Sequence, residues 1–373
     1  MFHMPHQVTY AQKNNSVFLV FLLYILGTVI LPGCSSTEVR EFEPPVYPPP
    51  PEQPRFIYER TIRSSADVKE KTFGDRFKQA VTGVSDSAEG LNKPYGVAAY
   101  HGKIYATDTV QRAILEFDIP NKKFKRIGTE GTGTIVKPIG ITVDRNSGDV
   151  YVVDATALRV MVYDQDGKFL RAIGTPEYLR RPSGAAVSPD GTKLYIVDTG
   201  GVDDNEHHRF TIWDSRTGEF IKAVGTRGVQ PGQFNLPLQI ATSPNGTVYV
   251  VDGGNFRIQA FTPDGEYIRS FGSIGTRTGQ FARPKGISID KDGNIYVVDT
   301  SFGNFQIFNS DGQLLLFVGN RGAAGGPGQY MLPAGIFVDE DGRVYMVDQY
   351  FKKIDIFRPA NLKPNEGWLS TKN

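Results

Sequence analysis

One loop of the sequence concentrates the side chains that most often bind metal ions. Within "DTGGVDDNEHHRF", residues 198–210, these are Asp203, Asp204, Glu206, His207 and His208. Carboxylates suit calcium, and imidazoles suit transition metals. Adjacent histidines seldom bind one ion together, however, and no zinc spacing such as H-E-x-x-H occurs. The sequence therefore favours a hydrated surface loop, and a partner-binding loop and a calcium or transition-metal site remain as alternatives.

Six further acids recur at one fixed place, three residues after the tyrosine of an "IYVVD"-like segment. They are Asp108, Asp154, Asp198, Asp252, Asp299 and Asp348. An aspartate that follows a strand accepts backbone N–H bonds in the turn that it opens. One such residue per repeat also keeps the six carboxylates apart. We therefore predict that they hold structural turns of the repeat and form no catalytic site.

The elements that position these residues belong to a repeat of 44 to 54 residues. Its tyrosine is Tyr105, Tyr151, Tyr195, Tyr249, Tyr296 and Tyr345. Each copy contains short runs of Ile, Val, Tyr and Phe, separated by turn dipeptides such as Asn245-Gly246 and Asp292-Gly293. Runs that are apolar throughout indicate strands buried on both faces. Six repeats of four strands predict an all-β fold, a six-bladed β-propeller over residues 93–359.

The sixth repeat lacks its fourth strand. The segment "RFIYERTI", residues 55–62, resembles the fourth strands of other copies, such as "KFLRAIG". We therefore predict that this N-terminal strand completes blade six and closes the ring. The remainder of segment 55–92 contains "KTFGDRFKQAVTGV", whose apolar residues recur at helical spacing and predict a short cap across one end of the channel. Residues 360–373 are predicted to be a C-terminal tail.

Two stretches, "VDGGNFRIQAF" (251–261) and "GQFARPKGISID" (279–290), resemble the repeat of the NHL-repeat propellers. The resemblance extends over most of the chain and implies the six-bladed, four-stranded architecture. It does not select a function, because that family includes RNA-binding, protein-binding and enzymatic members.

One residue departs from the pattern of the inner strands. A proline opens each inner strand, and a glycine follows two residues later at Gly96, Gly140, Gly184, Gly286 and Gly335. Gln239 takes the place of the glycine in the fourth copy. Inner strands surround the channel of a propeller, so this amide is a candidate channel contact for a ligand. Simple sequence drift is the alternative.

The N-terminal segment predicts export and a lipid anchor. Residues 17–31 are an apolar run that is short for a membrane-spanning helix and suitable for a signal peptide. "LPGC" follows and ends at Cys34, the one cysteine of the sequence. This resembles the lipobox of bacterial lipoproteins, and it implies a signal peptide over 1–33 and a covalent lipid such as palmitate on Cys34. Residues 34–54 are proline-rich and are predicted to be an extended tether.

The charge pattern gives no sign of a nucleic-acid partner. The formal net charge is +1, and only the first blade carries a local basic run, at Lys122, Lys123, Lys125 and Arg126.

We expect a lipid-anchored protein of the bacterial envelope, and Ser35 after the cysteine favours the outer membrane of a Gram-negative cell. Its propeller is expected to bind an envelope or extracellular protein without catalysis and without a cofactor. The alternatives are a channel-site enzyme, such as a metal-dependent lyase or lactonase, and the capture of a small ligand or carbohydrate in the channel.

Overall fold

The computed structural model describes residues 42–69, 88–364 and 366–370. Cys34, the predicted signal peptide and the predicted helical cap at 71–84 lie outside these residues. Residues 44–373 form one compact unit, which contains the strands given below. Within the described ranges, no helix is both long enough and apolar enough to span a membrane.

Six antiparallel sheets form the blades of a propeller, which confirms the predicted all-β fold. Within five blades the four strands follow one another in chain order from the centre of the ring to its outside. The inner strands of successive blades contact one another, and the inner strand of blade six contacts that of blade one. The ring is therefore closed.

The strands have the following bounds. Two N-terminal strands are β1 (Val46–Tyr47) and β2 (Phe56–Ile62). Blade one contains β3 (Pro94–Tyr100), β4 (Lys103–Asp108), β5 (Ala113–Asp118) and β6 (Lys123–Ile127). Blade two contains β7 (Pro138–Val143), β8 (Val150–Asp154), β9 (Arg159–Tyr163) and β10 (Phe169–Ile173). Blade three contains β11 (Pro182–Val187), β12 (Lys193–Asp198), β13 (Arg209–Asp214) and β14 (Phe220–Val224).

The second half of the ring continues in the same order. Blade four contains β15 (Pro237–Thr242), β16 (Val248–Asp252), β17 (Arg257–Phe261) and β18 (Tyr267–Phe271). Blade five contains β19 (Pro284–Ile289), β20 (Ile295–Asp299), β21 (Asn304–Phe308) and β22 (Leu314–Val318). A short parallel pair, β23 (Asn320–Arg321) and β24 (Gln329–Tyr330), precedes blade six, which has β25 (Pro333–Val338), β26 (Val344–Asp348) and β27 (Lys353–Pro359). Single 3-10 turns lie at Ser65–Asp67, Gly131–Gly133, Gly253–Asn255 and Gly367–Leu369.

The N-terminal strand closes the ring as predicted. β2 pairs antiparallel with β27, with Ile57 opposite Arg358 and Ile62 opposite Ile354. Ile62 is completely buried in the core that blades six and one share. The two ends of the repeat array are therefore joined within one sheet, and β27 has no open edge.

The tether differs from its prediction. Val46 and Tyr47, within the predicted extended segment 34–54, form β1 and pair with β2 on the outside of blade six. The Tyr47 ring meets the Phe357 ring edge-on, with centroids 5.8 Å apart. The aromatic side chain finds apolar contacts there, and its backbone covers the outer edge of β2. A polyproline composition could not indicate this pairing, because the ring contact that holds Tyr47 is made with Phe357, about 300 positions away.

Stacking of the blades explains why the strands are apolar throughout. All five residues of β8 are buried. In the core between blades two and three, Val153 lies in the same apolar cluster as Trp213. Burying an aliphatic side chain contributes about 1.5–3 kcal/mol, and a single blade would leave both of its faces in water. Each repeat is therefore stable only beside its neighbours.

The glycines of the inner strands let the backbones meet at the centre of the ring. A Cβ atom at Gly335 would lie 2.6 Å from the carbonyl oxygen of Tyr95 in the next blade, and one at Gly140 would lie 2.6 Å from that of Ser183. No side chain fits into so short a separation. The six inner strands therefore enclose a narrow channel.

Candidate functional site

Two kinds of loop meet at one end of the ring. The loops that lead into the inner strands lie beside those that join the second and third strands, because neighbouring strands run in opposite directions. We call this end the upper face and the opposite end the lower face. The candidate site comprises the upper face and the central channel below it.

The six repeat aspartates connect these loops. Each ends a second strand and is fully buried. Asp108 accepts backbone N–H bonds from Asn92 and Lys93, which precede the inner strand of blade one. It also accepts the backbone N–H of Gln111, in the loop between β4 and β5. The other five accept from the same two backbone positions or from one of them. These carboxylates therefore fix the loops of the upper face, and they lie one per blade.

The histidines of the insertion in blade three have internal partners. His208 is buried, and its Nδ1 accepts the backbone N–H of Leu236 at 3.1 Å. Its Nε2 therefore carries the proton and donates to the Gly201 carbonyl at 3.0 Å. The Nδ1 of His207 lies 2.7 Å from the Asp204 carboxylate. Burial raises the pKa of Asp204, but the bonds from His207 outweigh it and lower that pKa to about 2.

The insertion does not gather its five candidate ligands at one point. Asp203 and Glu206 are exposed, whereas His208 points inward. Among the described residues, no three His, Cys, Asp or Glu side chains are grouped as a metal site. Arg227, from the loop before blade four, binds the backbone carbonyls of Val202 and Asn205. The insertion therefore lies on the upper face against that loop.

The channel contains a cavity of about 330 Å³. Its wall includes Val97, Ile141, Val187, Ile240, Ile287 and Ile336. Gln239 lies in this wall, as its position in the repeat suggested. Its Oε1 accepts the N–H of Ile240 at 3.1 Å, and its amide fills the space beside Gly184. The amide nitrogen has no hydrogen-bond partner among the described residues, so it can donate into the cavity. Cavities of about 300–1,000 Å³ are usual for small ligands.

Arg145 crosses the lower end of this cavity. It follows the inner strand of blade two, and its guanidinium donates to the Val338 carbonyl of blade six at 2.7 Å. It also lies 5.4 Å from the centre of the Phe337 ring. This residue narrows the channel at the lower face. The sequence gives no local signal for this contact, because the partner of Arg145 lies 193 positions away.

A basic cluster surrounds the upper mouth of the channel. Lys93, Lys137, Arg181 and Arg283 each stand directly before the proline of an inner strand, and all four are exposed. Lys285, two residues after Arg283, is partly buried and places its Nζ 4.6 Å from the centre of the Tyr95 ring. The local basic run expected in blade one does not belong to this cluster, which draws its residues from several blades.

A sequence signal for this cluster did exist. The residue before the inner-strand proline is basic in four of the six repeats. The predicted basic run at Lys122, Lys123, Lys125 and Arg126 lies instead in and beside the outer strand of blade one, where Lys125 pairs with Glu116 at 3.1 Å. Closure of the ring, which brings the starts of all inner strands together, makes the dispersed residues into a cluster.

Exposed apolar side chains surround the same mouth. They project from loops of the upper face around the ring and comprise Val110, Val136, Val202, Val229, Ile274 and Tyr350. Ile274 is 66% exposed and Val202 is 72% exposed. Loops on a rigid scaffold commonly carry binding residues, and exposed apolar groups among polar ones favour contact with another molecule. The upper face therefore combines apolar and cationic contacts.

Comparisons with known protein families support the architecture. Residues 234–261 match the model of the NHL repeat, and residues 291–358 match a family described as a 6-bladed beta-propeller. NHL repeat-containing protein 3 of Homo sapiens is 29% identical over 113 residues, which are 28% of this chain and 31% of that protein. The E3 ubiquitin-protein ligase TRIM32 of Homo sapiens is 49% identical over 43 residues, or 12% of this chain and 7% of that protein. The chain thus spans at most about a third of these two relatives.

Solved structures agree in fold. A protein of unknown function from Bacteroides thetaiotaomicron has 20% identity and a TM-score of 0.59, covering 81% of this chain and 76% of that one. A gluconolactonase from Xanthomonas campestris has 16% identity and a TM-score of 0.54, covering 81% and 98%. A streptogramin B lyase has 16% identity and a TM-score of 0.53, covering 72% and 94%. At these identities the likeness concerns the fold alone.

Proposed function

The chain is a six-bladed β-propeller that contains NHL-repeat sequence, and from this premise we propose that it is a non-catalytic binding module of the bacterial cell envelope. In this proposal, the upper face binds a second protein, and Cys34 carries the lipid that holds the module at the membrane. The observation that carries the proposal is the ring of exposed apolar side chains around a cationic mouth.

The chemistry of the upper face favours a protein partner with acidic and apolar contacts. Apolar side chains such as Val229 and Ile274 lose contact with water on binding, which supplies affinity. Basic residues such as Lys137 and Arg181 steer an acidic surface toward the mouth. Buried aspartates hold these loops in place, so little ordering is needed when a partner binds.

Replacement of Ile274 by aspartate is expected to weaken partner binding at least about tenfold, because a carboxylate would lie in an apolar contact. The matched control is Ile221→Asp, on the outer edge of blade three, where Ile221 is 50% exposed. The measurement is quantitative native capture of envelope proteins by the full chain, with thermal unfolding of each variant as the folding check.

The comparison between the two variants decides the outcome. A protein that the wild type and Ile221→Asp capture, and that Ile274→Asp loses, would support binding through the upper face. Equal capture of partners by the wild type, Ile221→Asp and Ile274→Asp would refute binding through the upper face. Val202→Asp, in the insertion of blade three, tests in the same way whether that loop takes part.

The anchor has its own test. Cys34→Ser is expected to move the protein from the membrane fraction to the soluble fraction, because the serine hydroxyl cannot carry the lipid thioether and acylation supplies the membrane affinity. The measurement is fractionation of cells that express the full chain, with intact mass of the wild type to detect acyl chains. An unchanged membrane fraction and an unmodified wild-type mass would contradict the lipid anchor.

A further inference from the structure

Lys285 is a cation without a carboxylate partner at the centre of the upper mouth. Its side chain reaches from blade five to the Tyr95 ring of blade one, with Nζ 4.6 Å from the ring centre. No described acid lies within 4.0 Å of its Nζ. The Asp348 charge raises the pKa of Lys285 and so favours its ammonium form. The Asp348 carboxylate itself, however, accepts the backbone N–H groups of Met331 and Leu332. A partly buried ammonium in this position loses hydration and gains a cation–π contact with the Tyr95 ring rather than an ion pair.

Neighbouring positive charges add to the unfavourable energy of the partly buried Lys285 ammonium. Burial lowers the pKa of Lys285 most strongly, and the charges of Arg283 and Lys93 lower it further, to about 8. The guanidiniums of Arg181 and Arg283 form no salt bridge with a described acid. Like charges gathered beside one another oppose folding, and such sites often serve a ligand.

Tyr95 adds a neutral donor to the cluster. Burial raises the pKa of Tyr95, against the opposing effect of Arg181 and Arg283, so the phenol keeps its proton at neutral pH. In the part of the chain that the structure describes, its hydroxyl has no hydrogen-bond partner. The mouth therefore presents the Tyr95 hydroxyl and the Lys285 ammonium side by side, and the charges of Arg181 and Arg283 are near enough to act on the Tyr95 phenol.

We propose that this cluster binds an oxyanionic group that carries at least two negative charges, between the side chains of Tyr95, Arg181, Arg283 and Lys285. The guanidiniums bind oxyanions through paired N–H groups, the ammonium supplies a point charge, and the phenol donates one further bond. The number of cations matches a multiply charged ligand better than a single carboxylate. A free organic acid, a phosphate group and an acidic polypeptide segment share this chemistry.

The test titrates the purified full chain with citrate, inorganic phosphate and hexaglutamate, by calorimetry at pH 7 and constant low ionic strength. At least one probe is expected to bind with a dissociation constant below about 1 mM. Lys285→Met is expected to raise that constant at least about tenfold, because a charge-assisted bond is lost. Lys168→Met removes the same charge from an exposed turn of the lower face and is expected to change it less than about twofold.

A pH series provides a second measurement. Between pH 7 and 9.5 citrate keeps its charge while Lys285 loses its proton, so the affinity of the wild type is expected to fall and that of Lys285→Met to stay constant. If Lys285→Met fails to fold, the exposed Arg283→Met replaces it. Binding of hexaglutamate alone would assign the site to an acidic polypeptide, and binding of citrate or phosphate would assign it to a small anion.

Two results would overturn the proposal. One is no binding of any probe at 10 mM, and the other is equal affinity in the wild type, Lys285→Met and Arg283→Met. These results test only the proposed anion site, because the probes are defined molecules and the measurement needs no protein partner. Partner capture that is lost in Ile274→Asp would still support the proposed function in either case.

Discussion

Removal of residues 1–62 is expected to abolish cooperative unfolding of the propeller, because the deletion removes the strand that closes the ring. Phe56 and Ile62 are buried, and each contributes about 1.5–3 kcal/mol. The deletion also leaves the completely buried Arg343 without Glu59, whose Oε2 lies 2.8 Å from its Nε. Arg343 keeps Asp341, whose Oδ2 lies 2.8 Å from its Nη1, so the loss of Glu59 costs less than the roughly 3–5 kcal/mol of a buried charge left unpaired. Together these losses reach the lower part of the stability range of a typical domain, about 5–15 kcal/mol.

The measurement is urea unfolding followed by tryptophan fluorescence and circular dichroism. The matched control removes residues 1–43 and retains β1 and β2, and its unfolding is expected to be a single transition. A 63–373 variant that unfolds at the same urea concentration as the control would show that ring closure by β2 contributes nothing to stability.

Asp355→Ala is expected to lower the free energy of unfolding by about 3–5 kcal/mol, since it leaves a buried ammonium without its counter-ion. Lys353 and Asp355 are both completely buried, and Nζ lies 2.6 Å from the carboxylate. Burial lowers the pKa of Lys353, and the Asp355 charge opposes that shift. Thr61 of the closing strand donates to the same carboxylate at 2.6 Å, so the pair also holds β2 in place.

A double variant separates the charge effect from the loss of packing. Lys353→Met with Asp355→Leu removes both charges and keeps apolar volume, so its loss is expected to be smaller than that of Asp355→Ala alone. Urea unfolding at pH 7 gives the free energy for each protein. A loss of less than about 1 kcal/mol for Asp355→Ala, or a larger loss for the double variant, would contradict the importance of this pair.

The repeat made both the fold and its closing strand predictable. Fixed spacing, glycine turns and strands that are apolar on both faces point to stacked blades, and the missing fourth strand of blade six directed attention to "RFIYERTI". Gln239 was found for the same reason, because it breaks a regular glycine position. Local sequence carries these features, since each depends on residues within one repeat.

The basic mouth could not be assembled from local sequence. Lys93 and Lys285 are separated by nearly 200 positions, and only the closed ring brings Lys285 close to Tyr95 and to the charge of Lys93. The partners of His208 were likewise hidden, because Leu236 belongs to the loop of the next blade. Charge runs in the sequence directed attention to Lys122 and Lys123, which lie away from the mouth.

The sequence by itself determined the number of blades, the order of strands within each blade and the way in which the ring closes. These follow from hydrophobic burial and turn chemistry, which act over a few residues and recur in every repeat. Only the tertiary structure decided which side chains surround the channel mouth and which charges lack partners. Cyclic closure brings one residue from each blade to a common centre, and electrostatic interactions there depend on distances through space rather than along the chain.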